Sequence, residues 1–263
     1  MIRRTYVDGR WGQVHVTMAG AADAPPLLLL HQSPLSGAQF APALPLLARA
    51  GLRAIALDTA GFGASDPPPA PASVADHAEA LGVVMDALAL PRAHLLGHHT
   101  GAMIAANFAA RMPQRVGRLV LNGVPLFSPE ERAHFATFNF RAIEPAADGA
   151  HLLAAWNQRL AATPGWTDLA AMHRHVVAWL ANPDRAHWGF TMAFAHDIEA
   201  DLKAIRTPTL ILTNSGEDLF AASLRAQALR PDWAFHALAG GTHDVVDEMP
   251  EAWAAAVAGF VRG

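Results

Sequence analysis

Apolar and polar positions along the 263-residue chain change period repeatedly, and each change marks the end of an element. From Trp11 to Met18 they alternate one by one, the pattern of a strand with a single buried face, and the turn-rich stretch Gly20 to Pro26 ends it. An antiparallel edge pair is expected to open the sheet. Leu27 to Leu30 is an unbroken apolar run, which predicts a strand buried on both faces. The polar loop His31-Gln32-Ser33-Pro34-Leu35-Ser36-Gly37 leaves its carboxyl end. Phe40 to Ala50 carries leucines at helical spacing and is closed by Gly51, and Arg53 to Leu57 is the next short strand. Ser73 stands where a helix running to about Leu88 needs its N-cap. His94 to Leu96 reads as a strand, Thr100 to Arg111 as a helix stopped by Pro113, and Arg118 to Leu121 as a further strand. Thr209 to Leu212 and Trp233 to Leu238 resume the strand pattern late in the chain, and Pro250 to Val261 is a closing helix.

Between Ser128 and about Ile205 the strands give way to helical segments holding Trp156, Trp166, Trp179 and Trp188. Residues 128–205 are therefore expected to form a helical cap inserted into a core of residues 1–127 and 206–263, all within one domain. At 52% hydrophobic and 16% charged residues, the composition is that of a well-buried globular chain. A net charge of −4 without an Arg/Lys stripe argues against a nucleic-acid partner. No apolar run approaches the roughly 20 residues of a membrane span, and Met1-Ile2-Arg3-Arg4-Thr5-Tyr6 lacks the apolar core of a signal peptide. Cysteine is absent, which removes disulfides and thiol nucleophiles and is compatible with the cytoplasm. The expected partner is a small-molecule substrate, with monomer and homodimer both open.

The chemistry centres on Leu95-Leu96-Gly97-His98-His99-Thr100-Gly101-Ala102, between a predicted strand and a predicted helix. Gly97 and Gly101 flank a central residue at the spacing of the G-x-S-x-G elbow, where small residues allow a sharp turn that pushes the middle side chain out over the sheet. The middle residue is His99, where serine, cysteine or aspartate would be the nucleophile. Four more motifs stand around it in order: the His31-Gln32-Ser33-Pro34 loop, the Asp58-to-Ser65 turn, Ser215-Gly216-Glu217-Asp218 after a late strand, and Gly240-Gly241-Thr242-His243 before the last helix. With these the chain resembles the α/β-hydrolase fold superfamily over nearly its whole length. The resemblance implies an α/β fold with a mostly parallel central sheet flanked by helices, and a triad in the order nucleophile, acid, histidine. Carried over by position, His99 occupies the nucleophile site, Asp218 matches the acid and His243 matches the base. The same resemblance implies oxyanion donors in the backbone N–H groups of Thr100 and Gln32.

The substitution at His99 leaves several chemistries open. His99 can attack an acyl carbon as neutral imidazole, or His99 and His243 can hold a water for direct attack. Both need a neutral His99, which the helix N-terminus is expected to favour at pH 7. Proton abstraction by a His-Asp dyad, leading to C–C cleavage or reaction with oxygen, is a third reading, and a non-catalytic small-molecule binder is a fourth. The leading expectation is cofactor-free hydrolysis of a small apolar ester, lactone or related carbonyl compound. His31 is expected to hold the backbone of the oxyanion loop, His98 to pack inward, Ser33 to offer a hydroxyl nearby, and Asn122, after a strand beside the elbow, to reach substrate. Arg141, Arg159 and Asn157 are unranked polar anchors. Convergence of His98, His99, His243 and Asp218 with His31 would suit zinc or iron, but the spacing matches no metal motif and adjacent elbow side chains are expected to diverge, so no metal is expected.

Overall fold

The computed structural model describes residues 1–135, 137–138 and 140–263 and orders eight strands into one sheet. The strands are β1 (Ile2–Gly9), β2 (Gly12–Ala19), β3 (Pro26–Leu30), β4 (Arg53–Leu57), β5 (Ala93–His98), β6 (Val116–Asn122), β7 (Thr209–Asn214) and β8 (Ala234–Leu238). Their spatial order is β1-β2-β4-β3-β5-β6-β7-β8, with β1 and β2 antiparallel at one edge and β4, β3, β5, β6, β7 and β8 mutually parallel. The antiparallel opening is as the periodicity predicts, and the parallel body is as the resemblance implies.

The unbroken apolar runs feed two cores. Leu28 and Leu30 of β3 face one side of the sheet with Leu95 and Leu121, while Leu27 and Leu29 face the other with Leu96 and Val120. The first side is covered by α2 (Val74–Ala87) and α3 (Thr100–Arg111), the second by α1 (Leu44–Arg49) and the last helix. The predicted helix over Phe40 to Ala50 is shorter than its leucine spacing suggests. Pro45 cannot extend it backward, because the ring removes an amide and collides with the carbonyl four residues earlier, so Gly37–Phe40 forms a separate 3-10 turn.

Between β6 and β7 lie α4 (Pro129–Phe135), α5 (Ala150–Ala162), α6 (Leu169–Leu180), α7 (Trp188–Ala195) and α8 (Ile198–Ala204); after β7 come α9 (Phe220–Leu229), α10 (Val245–Glu248) and α11 (Pro250–Arg262). Phe135 and Phe140 stack on Phe194, and Phe190 stacks on Phe140, so these rings largely satisfy one another inside the helical insertion. Among the described residues no helix is long and apolar enough to cross a membrane.

The chain runs from β3 outward to β4 and then returns past β3 to β5. Beyond the carboxyl ends of β3 and β5 the connections diverge and leave a crevice. The His31–Gln32 loop and the elbow both open into it.

Candidate active site

The turn after β5 is tight enough to require both of its glycines. A Cβ on Gly97 would lie 2.1 Å from the Gly101 carbonyl oxygen, and one on Gly101 would lie 2.1 Å from that of Leu30. Between them His99 has φ 50° and ψ −108°, a conformation that is costly for a residue with a side chain. Its amide donates to the Asn122 carbonyl at 2.9 Å, which ties the strained residue to β6.

The imidazole is directed by a carboxylate that motif position alone does not single out. His99 Nε2 lies 2.8 Å from Oε2 of Glu217, whose side chain is fully buried and whose Oε1 accepts from the Thr213 hydroxyl. Gly123 makes room for this pair: a Cβ there would stand 2.3 Å from His99 Cδ2 and 2.7 Å from Glu217 Oε2. Asp218, the acid expected by position, is the next residue and stays exposed to solvent at the cavity. Its side chain is 70% exposed and its Oδ1 is 3.7 Å from His243 Nδ1, beyond hydrogen-bond reach. The hydrogen-bonded histidine–carboxylate pair beside the elbow is thus His99–Glu217. Both acids sit in the Ser215-Gly216-Glu217-Asp218 turn, and nothing in the sequence reports which of two neighbouring side chains faces inward.

His243 belongs to a second, larger network. Arg159 on α5 directs Nη1 to His243 Nε2 at 2.6 Å and pairs through Nη2 with the buried carboxylate of Asp244. Asp244 Oδ1 also receives Gln32 Nε2 at 3.1 Å and lies 3.1 Å from Nδ1 of His175 on α6. His175 Nε2 reaches Asp247 at 2.7 Å. Nδ1 of His175 is 2.9 Å from Arg159 Nη2 as well, but a single nitrogen cannot both donate to Asp244 and accept from Arg159. Burial opposes charge on His175, yet hydrogen bonds to Asp244 and Asp247 raise its pKa, so donation to the carboxylate prevails. Of the three unranked polar anchors, Arg159 is the one that lines the cavity beside His99.

The remaining candidates divide by what their polar atoms already do. His31 donates through Nδ1 to the Gln32 carbonyl at 2.8 Å and accepts at Nε2 from the Thr59 amide at 3.0 Å, holding the loop backbone. Ser33 lines the cavity, and its amide donates to Thr100 Oγ1 at 2.6 Å. Thr100 N–H is among the first-turn amides for which a helix supplies no acceptor. The Gln32 amide, the other expected oxyanion donor, is instead given to Gln39 Oε1 at 3.1 Å. Asn122 does not reach substrate: it is fully buried, accepts from Trp253 Nε1 at 2.6 Å, and donates to the Leu212 carbonyl at 3.4 Å. It ends β6 inside the sheet, so its side chain anchors α11.

A family model for the alpha/beta hydrolase fold matches residues 25–248. The chain belongs to that family. It is 30% identical to the carboxylesterase YbfK of Bacillus subtilis over 260 residues, covering 94% of this chain and 83% of that protein. It is also 30% identical to the putative carbamate hydrolase RutD of Variovorax paradoxus over 243 residues, 88% of this chain and 89% of the relative. An epoxide hydrolase from an endophytic Streptomyces superposes with a TM-score of 0.81 at 21% identity, over 100% of this chain and 96% of that one, a likeness of fold.

In this α/β-hydrolase His99, His243, Asp218, Gln32 and Ser33 do line one cavity, of about 200 Å³, closed from the insertion side by Arg159, Trp179 and Phe190. The electrostatics differ from the expectation of a neutral His99. Burial pushes its pKa down, but the hydrogen bond and charge of Glu217, with Asp218 and Asp244 behind it, raise it on balance. A buried carboxylate 2.8 Å away outweighs the partial charge of a helix terminus. His243 moves the other way, to about 4, through burial and the Arg159 guanidinium against the pull of Asp244 and Asp218.

His98 packs inward, fully buried, with its ring 4.3 Å from that of His99. The adjacent elbow rings therefore do not diverge, and donor atoms of His98, His99 and Glu217 lie within 4.8 Å of one another. Gln39 gives its carbonyl to the Gln32 amide, so its NH2 group faces His98 Nδ1, while His98 Nε2 is buried without a hydrogen-bond partner.

Proposed function

We propose that this α/β-hydrolase cleaves small esters or lactones by direct attack of water, with His99 as the general base and Glu217 as the group that orients it. The observation that carries the reading is the 2.8 Å contact between His99 Nε2 and a fully buried Glu217. With its proton on Nε2 and given to Glu217, the neutral ring presents Nδ1 as its basic atom. This is the role the acid plays for the base histidine in a serine triad, transferred to the elbow.

Water gives a proton to His99 Nδ1 as its oxygen bonds to the carbonyl carbon, and the carbonyl π pair moves onto oxygen. When the tetrahedral species collapses, the C=O bond re-forms, the leaving alkoxide takes the proton back from Nδ1, and acid and alcohol depart. No residue becomes acylated. The carboxylesterase and carbamate-hydrolase relatives support an acyl substrate, and the mixed polar and aromatic lining suits a small one.

The test is saturable turnover of unactivated esters and lactones, since free imidazole alone cleaves activated ones. His99→Ala and Glu217→Gln are expected to lower kcat by about 10²–10⁴, the range of a lost general base. Because Glu217 raises the His99 pKa, kcat/KM should rise with pH through a limb above 6.5, and Glu217→Gln should move that limb toward acid. A wild type inert on the whole panel, or a Glu217→Gln enzyme with unchanged rate and limb, would sink the reading.

A further inference from the structure

We propose that Arg159 is a catalytic residue of this reaction: its guanidinium, delivered by α5, donates Nη1–H to the developing oxyanion in place of the Gln32 amide. The proposal rests on the ester or lactone reading above.

Three observations carry it. First, the amide that the fold would supply is spent, because Gln32 N–H is donated to Gln39 Oε1 at 3.1 Å. A tetrahedral oxyanion at the elbow would then have the Thr100 amide without the second amide expected beside it. Second, Arg159 lines the same cavity as His99 and is held there from two sides, by Asp244 at Nη2 and by His243 Nε2 at 2.6 Å from Nη1. Asp244 is fixed in turn by Gln32 Nε2 and His175, so the guanidinium is aimed before any substrate arrives. Third, Arg159 Nε is buried without a hydrogen-bond partner, so the guanidinium keeps donor capacity that the protein leaves unused.

The acceptor on Nη1 is the neutral lone pair of His243, which faces Arg159, Asp244, Asp218 and His99 and is kept uncharged by burial and by that guanidinium. A full oxyanion is a stronger acceptor than a neutral imidazole. The hydrogen bond therefore passes from His243 to the carbonyl oxygen as negative charge builds, and it is stronger in the transition state than in the ground state. His243 acts as the positioning residue that parks Nη1 beside the reacting carbon. The step adds no atom or electron to the hydrolysis already written.

Arg159→Met, Arg159→Lys and Arg159→Ala are compared with wild type in two arms, Arg159→Lys keeping a cation beside Asp244 if the others fold poorly. In the turnover arm, Arg159→Met is expected to lose about 10²–10³ in kcat, the effect of one oxyanion donor, with KM changed little. Millimolar guanidinium should restore part of the Arg159→Ala rate and leave wild type unaffected. A change confined to KM, or no rescue, overturns the proposal. The second arm needs no turnover: benzoate, whose carboxylate mimics the acid product, is titrated against benzyl alcohol by amide chemical shifts. Wild type should prefer benzoate and Arg159→Met should not. Equal preference in both overturns the role of Arg159 even where hydrolysis is seen, whereas an inert wild type that keeps an Arg159-dependent preference places the failure with the ester reading.

Discussion

Gly123 is the residue on which the position of His99 depends most directly. It has φ +61°, and the place of its missing Cβ is filled by the His99 ring and the Glu217 carboxylate. Alanine there would meet a strained backbone and a contact of 2.3 Å at His99 Cδ2. Gly123→Ala is expected to destabilise the fold by roughly 1–3 kcal/mol, the usual cost of a residue forced into a sparsely populated conformation. It should also swing the imidazole off Glu217 and abolish most turnover. Thermal melts and the kcat of the purified variant check both parts; a variant with wild-type kcat would mean that the His99–Glu217 contact is not what catalysis uses.

At the scale of elements, two helices show opposite relations to the site. Helix α2 is set by local chemistry: Ser73, the N-cap expected from the sequence, accepts from the Asp76 amide at 3.1 Å, and the structure adds the reciprocal bond from the Ser73 amide to Asp76 at 3.1 Å, remote from the cavity. Ser73→Ala should cost about 1 kcal/mol in denaturant unfolding and leave turnover at the wild-type rate. Helices α5 and α6 are instead clamped to the core by Arg159 and His175 against Asp244 and Asp247. Their charged groups are buried and balanced in pairs, so the insertion is registered on the core through Arg159 and His175, which line the cavity. Helix propensity has no part in that placement.

For the whole molecule, the buried histidines set how stability depends on pH. His31, His77, His94, His98 and His243 are held below their ordinary pKa of 6.5, each chiefly by burial. Below pH 6.5 the unfolded chain binds protons at these positions that the folded chain refuses, so stability falls as pH falls toward 4, the value reached by His77 and His243. His99 and His175 are raised by their carboxylates, and their contribution is complete below 6.5 and lost as pH climbs through the folded values. Melting temperature should therefore peak near pH 6.5 and fall on both sides. In His175→Gln the alkaline fall should shallow while the acid fall remains; an unchanged alkaline limb would show that the His175 cluster is not charged in the folded state.

The sequence by itself determined the architecture, because each element is dictated by local and periodic physics. Leu27 to Leu30 has to be buried on two faces, Pro113 has to stop the helix that follows the elbow, and Gly97 and Gly101 have to flank a tight turn around His99. The shared placement of His99 and His243 is implied by the resemblance of their motifs to the α/β-hydrolase fold, and the order of the strands comes from the structure. What only the tertiary structure decided is which polar atoms meet. Glu217 rather than Asp218 turns inward, Gln39 takes the Gln32 amide, Asn122 serves Trp253, and Arg159 crosses from α5 to His243. All but the Gln32–Gln39 contact join residues far apart in sequence, and a hydrogen bond depends on direction and fractions of an ångström, to which hydrophobic periodicity is blind.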